Sequence, residues 1–592
     1  MAPGESQSEA VRKQLERVLA SEGFGRNERL SRFLRFVVER HLEGRDSELK
    51  ESLIAVEVFG RKPDYDPKLD SIVRSEAARL RSRLVEYYAR EGSGEPLIIE
   101  LPKGGYTPRF RQLEARPERK TQPRLWSKVA IAALAVVLAA AGWRWVRHKN
   151  APTAIAVLPL ENLSHDPAND YFADGLTDEI IRNLSIIDGL AVRSRTSSFA
   201  FKGKPGNVRG AGRQLEVDYI LEGSVLRAGQ QLRINAQLVR VRDDFALWSG
   251  RFDRELTDVL AIQDEISRGI VNSLRLKLGR GRRRYETSVE AYDLYLRARA
   301  SPIFSGGRGS LDQHIARFEQ VAAKDPSFAP AWAGLAATYA IRSDQYALDH
   351  PADELPKMRA AAKRAIQLDP LLAEAHDALG MVYARDGQWK ESEKSFHRAI
   401  ELDPNRSETH VNFAWSLLLV LDRVQEALAQ MRVAEKNDPL SSDVRLGLAN
   451  LLISAGRYDD AAEHCQKLPA NHIFRSQCLG RVRLGQSRNE EAIQFLSSDA
   501  TLPNRGFLGY AYARSGRREE AEKLAAAVSA NPYDQTLIFA GLGDKDRTFE
   551  ALDRMAALGA VRIGRTLTFP ELSLVRGDPG LKALRKKVGL PD

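Results

Sequence analysis

The chain has 592 residues, of which 43% are hydrophobic and 28% charged, with a formal net charge of +10. This composition is ordinary for globular modules, excludes a disordered chain, and leaves room for roughly three to five domains. Two cysteines, Cys465 and Cys478, are too few for a disulfide framework. Because they fall on neighbouring predicted helices, a bond between them and two buried free thiols both stay open.

The first 111 residues predict a compact α+β domain. Three amphipathic runs open it, at residues 8–23, 29–43 and 47–59. A proline-containing turn then leads into a helix from about Asp70 to Arg90, with Asp70 or Ser71 as its N-cap. Two short strands around a turn at Lys103 follow. A basic helix followed by a hairpin indicates a winged helix-turn-helix domain at residues 1–111.

The stretch IVRSEAARLRSRLVEYYAREG…LIIELPKGGYTPRF resembles the end of the OmpR/PhoB-type DNA-binding domain. The resemblance implies that the basic helix is a recognition helix and that the hairpin is a wing. Small residues lie on the outward face of this helix and arginines lie on both its edges, which suits the major groove. The candidate DNA-binding residues are Arg74, Ser75, Arg79, Arg81, Ser82, Arg83, Lys103 and Arg109. An ordinary solvated face or a protein-contact surface is the alternative.

Residues 112–127 are polar and contain proline, which is typical of a linker. The uncharged stretch VAIAALAVVLAAAGW follows, with tryptophans at both ends, and predicts a transmembrane helix at residues 128–146. Basic residues are more numerous before this helix than after it. The sequence therefore predicts a single-pass protein of a bacterial-type inner membrane, with its N-terminus in the cytoplasm and its C-terminus in the periplasm. A buried soluble helix or a stiff linker is the alternative.

Residues 153–279 predict an α/β domain with the order βαβ, βββ, α. The phrases AVLPLENLS, YFADGLTDEI, DYILEGSV and LRINAQLV resemble the TolB N-terminal-like domain, in the form that accompanies tetratricopeptide repeats in proteins often labelled adenylate-cyclase-like. The resemblance implies an interaction module. Asp174, Asp178 and Glu179 are close in sequence, but acids are common at a helix start. Since no phosphate-binding or hydrolase motif occurs, we expect no catalytic residue, cofactor or metal, and no enzyme.

Asp-Pro pairs recur about 34 residues apart, ending at Pro370, Pro404 and Pro439. Between them, AEAHDALGMVYARDGQWKESEKSFHRAIELDP is similar to a tetratricopeptide repeat. About seven repeats are predicted over residues 285–560, with residues 561–592 as a C-terminal cap. A helical solenoid of this length has a concave surface suited to a protein or peptide partner.

The predicted fold class is multidomain: a winged helix-turn-helix domain, a single transmembrane helix, a TolB-like α/β domain and an all-α tetratricopeptide repeat solenoid. This order is similar to the ToxR and CadC class of membrane-bound transcription regulators. The resemblance implies a membrane-tethered one-component regulator whose cytoplasmic domain binds DNA and whose outer modules sense a partner, with a homodimer as a further expectation. The alternative is an envelope scaffold whose repeats bind partner proteins and which binds no DNA.

Overall fold

The structure is a computed structural model. It describes residues 5–25, 27–63, 65–66, 70–112, 152–164, 166–204, 207–274, 285–300, 307–345, 351–498 and 505–591. The chain divides into two compact units, residues 1–142 and 143–592.

The first unit contains five helices and a hairpin within its described residues. The helices are α1 (Glu5–Ala20), α2 (Glu22–Gly25), α3 (Glu28–Leu42), α4 (Glu51–Glu57) and α5 (Ile72–Ala89). Strands β1 (Leu97–Glu100) and β2 (Arg109–Gln112) pair antiparallel, with Glu100 opposite Arg109. Apolar residues at helical spacing on α1, α3 and α5 pack with β1 into one core, in which Phe33, Val37 and Leu80 are fully buried. The unit therefore has a hydrophobic core of its own.

The second unit begins with a mixed sheet. Its strands are β3 (Thr153–Val157), β4 (Glu161–Asn162), β5 (Leu190–Val192), β6 (Tyr219–Ala228), β7 (Gln231–Arg240) and β8 (Phe245–Glu255). The spatial order is β5-β3-β6-β7-β8, with β4 also beside β6. The first three strands of this order run parallel, as their crossover helix requires, whereas β6, β7 and β8 form an antiparallel meander. Its helices are α6 (Asp170–Ser185), α7 (Arg195–Phe199), α8 (Val208–Leu215) and α9 (Val259–Ser273).

Antiparallel helix pairs follow the sheet. We call the first helix of each pair an inner helix and the second an outer helix. The inner helices are α10 (Val289–Ala300), α12 (Ala329–Gln345), α14 (Ala373–Arg385), α16 (Ser407–Phe413, prolonged by a π-helical turn to Leu418), α18 (Ser442–Ser454), α20 (Arg475–Gly485), α22 (Arg505–Arg514) and α24 (Pro532–Gly541). The outer helices are α11 (Gly307–Lys324), α13 (Pro351–Leu368), α15 (Trp389–Leu402), α17 (Val424–Asn437), α19 (Tyr458–Gln466), α21 (Asn489–Ser497), α23 (Arg518–Ala527) and α25 (Lys545–Met555).

Small residues allow the paired helices to approach closely. A Cβ added at Gly380 would lie 3.0 Å from the Phe396 ring, and one added at Gly480 would lie 2.6 Å from the Leu496 side chain. These glycines therefore have a packing role in the repeat fold.

Cys465 on α19 and Cys478 on α20 form a disulfide, which decides the question that the sequence leaves open.

The chain ends in a C-terminal segment, defined here as residues 560–591. It contains α26 (Ala560–Leu567), a 3₁₀ stretch at Pro570–Val575 and α27 (Pro579–Lys587). Gly559, with φ 91°, joins the segment to the last helix pair in a conformation that only glycine adopts readily. Its apolar side chains pack into a cluster with residues from several inner helices.

The predicted membrane-spanning helix, and the inner-membrane localisation derived from it, are corrected by the structure. Across the described ranges, no helix combines the length and the apolar character that crossing a bilayer demands. The predicted span itself, residues 128–146, lies outside the described residues, as does the predicted linker after Gln112. Its alanine-rich composition is only mildly apolar, so the prediction depends mainly on the tryptophans and charged residues at its ends.

Candidate nucleic-acid interface and repeat surface

Helix α5 carries most of the predicted DNA-binding residues. It forms because Val73, Ala77, Leu80 and Leu84 recur at helical spacing and are buried against the unit's core. At its start, the Asp70 side chain accepts a hydrogen bond from the Ile72 N–H at 2.9 Å. The buried stripe fixes the rotation of the helix, so its opposite face points away from the core.

The outward face of α5 carries small side chains. Ser75, Ala78 and Ser82 are exposed, and the two serine hydroxyls donate to carbonyls of their own helix, Ile72 at 2.9 Å and Ala78 at 3.2 Å. Val85 continues this face and is 71% exposed, an unusual position for a branched apolar residue. A narrow face of this kind can approach a surface closely, because no long side chain stands on it.

Three of the predicted arginines lie at the edges of this face, each beside a carboxylate. The guanidinium of Arg74 lies 3.1 Å from Glu51, that of Arg79 lies 2.8 Å from Glu76, and that of Arg83 lies 2.9 Å from Glu86. The Arg79 side chain is 71% exposed. Only the Arg83–Glu86 pair is exposed on both sides, and a pair of this type contributes about 0–1 kcal/mol. Glu51 and Glu76 are 20% and 9% exposed, so Arg74 and Arg79 also pair with largely buried carboxylates, although the arginine side chains themselves are 55% and 71% exposed.

Arg81 differs from the other three, because its guanidinium is committed to the hairpin. Its Nε donates to the carbonyls of Leu101 and Pro102 at 3.0 and 3.1 Å, and one Nη donates to the carbonyl of Gly105 at 3.0 Å. These carbonyls belong to the turn between β1 and β2. Arg81 thus fixes the hairpin against α5, a role that the helical wheel could not reveal.

The two predicted residues of the hairpin are exposed, with Lys103 in its turn and Arg109 at the start of β2. Arg111, further along β2, pairs with Glu100 at 3.1 Å. The structure therefore brings all the predicted residues onto α5 and the adjoining hairpin. The Arg81 guanidinium is hydrogen-bonded to backbone carbonyls, whereas the other predicted residues lie at the surface.

Asp174, Asp178 and Glu179 lie in the middle of α6, not at its start, and point into separate ion pairs. Asp174 pairs with Lys202 at 2.5 Å, Asp178 pairs with Arg299 at 2.6 Å, and Glu179 pairs with Arg182. Each carboxylate is thus engaged by a cation. In the part of the chain that the structure describes, no group of three or more His, Cys, Asp or Glu side chains is arranged to hold a metal ion.

The Asp-Pro turns of the repeats contact the α/β domain, a feature that sequence reasoning missed. Asp403 accepts a hydrogen bond from the Ser185 hydroxyl at 2.7 Å, and Asp438 accepts one from the Ser197 hydroxyl at 2.5 Å. Asn405 adds bonds to the carbonyls of Ser185 and Leu190 at 2.7 and 3.0 Å. The recurrence of aspartate before each proline is the available signal, although by itself it indicates only the end of a helix.

A buried ionic chain runs through the same contact. Arg299 on α10 bridges Asp178 on α6 and Glu374 on α14, and Arg406 binds Glu374 at 2.9 Å. Burial raises the pKa of Glu374, but the guanidiniums of Arg406 and Arg299 outweigh it and lower this pKa to about 2. Burial also raises the pKa of the neighbouring Asp377 to about 7, although Arg406 and Asn412 oppose the shift. The α/β domain and the repeats therefore share one packed interior.

Comparison with known proteins matches parts of the chain to two families. Residues 151–268 match the HilA/YgeH-like transcriptional regulator, second domain, and residues 373–406 and 418–472 match the tetratricopeptide repeat. The chain therefore contains a regulator domain followed by repeats of a protein-interaction fold. For the α/β segment the match shows the HilA/YgeH-like family and does not show the TolB-like family that its phrases resemble.

Similarity to individual proteins is partial. A stretch of 190 residues is 44% identical to a protein named "Putative adenylate cyclase 3" of Rhizobium meliloti (strain 1021), and it covers 31% of this chain and 32% of that protein. The chain thus spans about a third of the length of this curated relative. The pilF structure of Pseudomonas aeruginosa is 17% identical and covers 40% of this chain and 92% of its own, with a TM-score of 0.27. A tetratricopeptide repeat protein from Parabacteroides merdae is 13% identical and covers 48% and 99%, with a TM-score of 0.28.

Proposed function

We propose that the protein is a DNA-binding transcriptional regulator. In this proposal, α5 and the hairpin of residues 5–112 contact duplex DNA, and the second unit receives a signal from a partner protein. The observation that carries the proposal is the face of α5, where small side chains are flanked by arginines that are 40–71% exposed, next to a hairpin anchored by Arg81.

The physical argument concerns the exchange of partners at Arg74, Arg79 and Arg83. Their side chains are 55%, 71% and 40% exposed, so the guanidiniums can bind phosphate groups with the release of counterions. Ser75 and Ser82 leave room for the helix to enter a major groove and can contact base edges there. Lys103 would then reach the backbone beside that groove.

The matched regulator domain and the repeats support the signalling half of the proposal. No catalytic step belongs to it. Asp174, Asp178 and Glu179 hold other side chains in ion pairs, so they are not arranged as a free carboxylate set. The adenylate cyclase name belongs to a relative that shares only part of its length with this chain. A scaffold protein without DNA binding is the competing proposal.

The test is DNA retention by the full-length chain in rising salt. We expect the logarithm of affinity to fall linearly with the logarithm of salt concentration, and the slope to drop by about 2 to 3 in the variant R74A/R79A/R83A, at roughly 0.9 per lost phosphate contact. The matched control is R35A, which removes an exposed guanidinium paired with Glu16 on another helix. Failure of the wild-type chain to bind duplex DNA at low salt would favour the scaffold.

A further inference from the structure

The C-terminal segment lies on the inner helices of the repeats and reaches far beyond the last of them. Gly564 on α26 is so close to Val420 that an added Cβ would lie 2.6 Å from Val420 atoms. The Trp389 indole N–H donates to the Gly589 carbonyl at 3.0 Å. A segment that only shielded the last helix pair would have no reason to contact Trp389 and Val420, which lie in much earlier pairs.

The centre of this contact is a built site around Arg481 on α20. Arg481 is 4% exposed, and its guanidinium donates to both carboxylate oxygens of Glu571 at 3.0 and 3.3 Å and to the Asn450 side chain at 2.9 Å. The rings of Phe507 and Phe569 lie on it, each with its centroid 4.5 Å from the guanidinium carbon. The repeats contribute Arg481, Asn450 and Phe507, whereas the segment contributes Phe569 and Glu571.

The segment is organised to bind as a unit. Its backbone N–H groups donate within the segment, for example from Thr568 to Arg565, from Phe569 to Thr566 and from Leu572 to Phe569. Its apolar side chains pack against the inner helices, Gly559 joins it covalently to the last helix pair, and the ion pairs Lys545–Asp578 and Lys587–Asp553 hold it to α25. This arrangement has the form of a bound peptide whose tether is the chain itself.

We propose that the inner helices around Arg481 form a receptor site for a protein segment in which an aromatic residue is followed two positions later by a glutamate. The chain's own Phe569–Leu572 occupies the site until a partner protein with the same pattern displaces it. A buried arginine that loses its carboxylate is strongly disfavoured, so an entering segment must supply an acid in the same place. Apolar residues of the entering segment would take the buried positions that Leu567, Leu572 and Val575 of this chain occupy. The inference rests on the repeats being the partner-binding part of the proposed regulator, and it is independent of DNA binding.

The test measures binding of a fluorescent peptide, RTLTFPELSLVR, to the full-length chain by anisotropy. The variant G564L drives α26 off Val420 without changing the receptor site, so we expect it to bind the peptide at least tenfold more tightly than the wild type. Adding R481M to G564L, or replacing the peptide's glutamate by alanine, should weaken this binding at least tenfold. The control D553N breaks the Lys587 ion pair at the end of the segment and should behave as the wild type.

Hydrogen exchange decides how each result is interpreted. In G564L the amides of residues 560–575 should lose protection while the inner helices keep theirs, and a dimer with exchanged segments would also support the receptor site. Release of the segment without a gain in peptide affinity, unchanged affinity after R481M, or continued protection of the segment would overturn the proposal. If G564L disturbs the inner helices, the isosteric E571Q allows the same comparison. DNA retention by the same samples separates failure of this proposal from failure of the proposed function.

Discussion

Arg81 provides the sharpest test of how the candidate interface is built. Its guanidinium donates three hydrogen bonds to the turn of the hairpin at 3.0 to 3.1 Å. Hydrogen bonds that involve a charged group are worth about 1.5–3 kcal/mol each, but Arg81 is only half-buried and two of the bonds share one donor. We therefore expect R81A to lower the free energy of unfolding of the first unit by about 2–4 kcal/mol. For a domain of this size, that corresponds to a fall of roughly 10–20 °C in Tm.

The assay is thermal and urea unfolding of residues 1–112, which have a core of their own. R35A is the matched control, because Arg35 lies in the same unit and its ion pair with Glu16 is exposed on both sides, so its loss should change stability by no more than about 0.5 kcal/mol. R81K should not restore stability, since an ammonium cannot present the same fork to these carbonyls. If R81A proves as stable as R35A, the assignment of Arg81 to the hairpin is wrong.

Three further predictions concern the second unit. Asp377 keeps its proton up to about pH 7 when folded but releases it near pH 4 when unfolded, so the free energy of unfolding should fall as pH rises between these values. D377N should abolish this decline, worth roughly 2–4 kcal/mol, in urea titrations at pH 5 and 8. Reduction of the Cys465–Cys478 disulfide should cost on the order of 3 kcal/mol, as checked by urea unfolding with and without reductant. Replacing both Asp403 and Asp438 by alanine should raise hydrogen exchange in α7, with protection of α18 retained; equal loss in both helices would contradict the docking role of these turns.

The parts of the fold that follow a short period could be predicted from the sequence. Helix α5 could be predicted because apolar residues, including Val73 and Leu84, recur along it at helical spacing. The hairpin could be predicted from its Gly-Gly turn. Repeat helices were equally visible, because Asp-Pro pairs and small residues recur. In each case the information lies within a few dozen residues of the element that it specifies.

Contacts between distant residues were beyond that reasoning. Arg81 has the helical position of a surface arginine, and only the fold brings the Gly105 carbonyl to it. Glu571 and Arg481 are far apart in the chain, so nothing local marks them as a pair. The prediction of a membrane-spanning helix is wrong for another reason. It rests on a mildly apolar stretch with tryptophans at both ends, and no helix among the described residues is long and apolar enough to cross a bilayer.

The Asp-Pro turns have a mechanical consequence. Asp369, Asp403 and Asp438 each accept a hydrogen bond from a hydroxyl outside their own helix pairs, on Tyr285, Ser185 and Ser197 respectively. The repeats are therefore attached at three regularly spaced turns along the solenoid. The distance between neighbouring aspartates depends on the pitch at which the helix pairs stack. Any ligand that changes this pitch pulls the aspartates away from their hydroxyls, and the strain falls on α6 and α7, which carry Ser185 and Ser197.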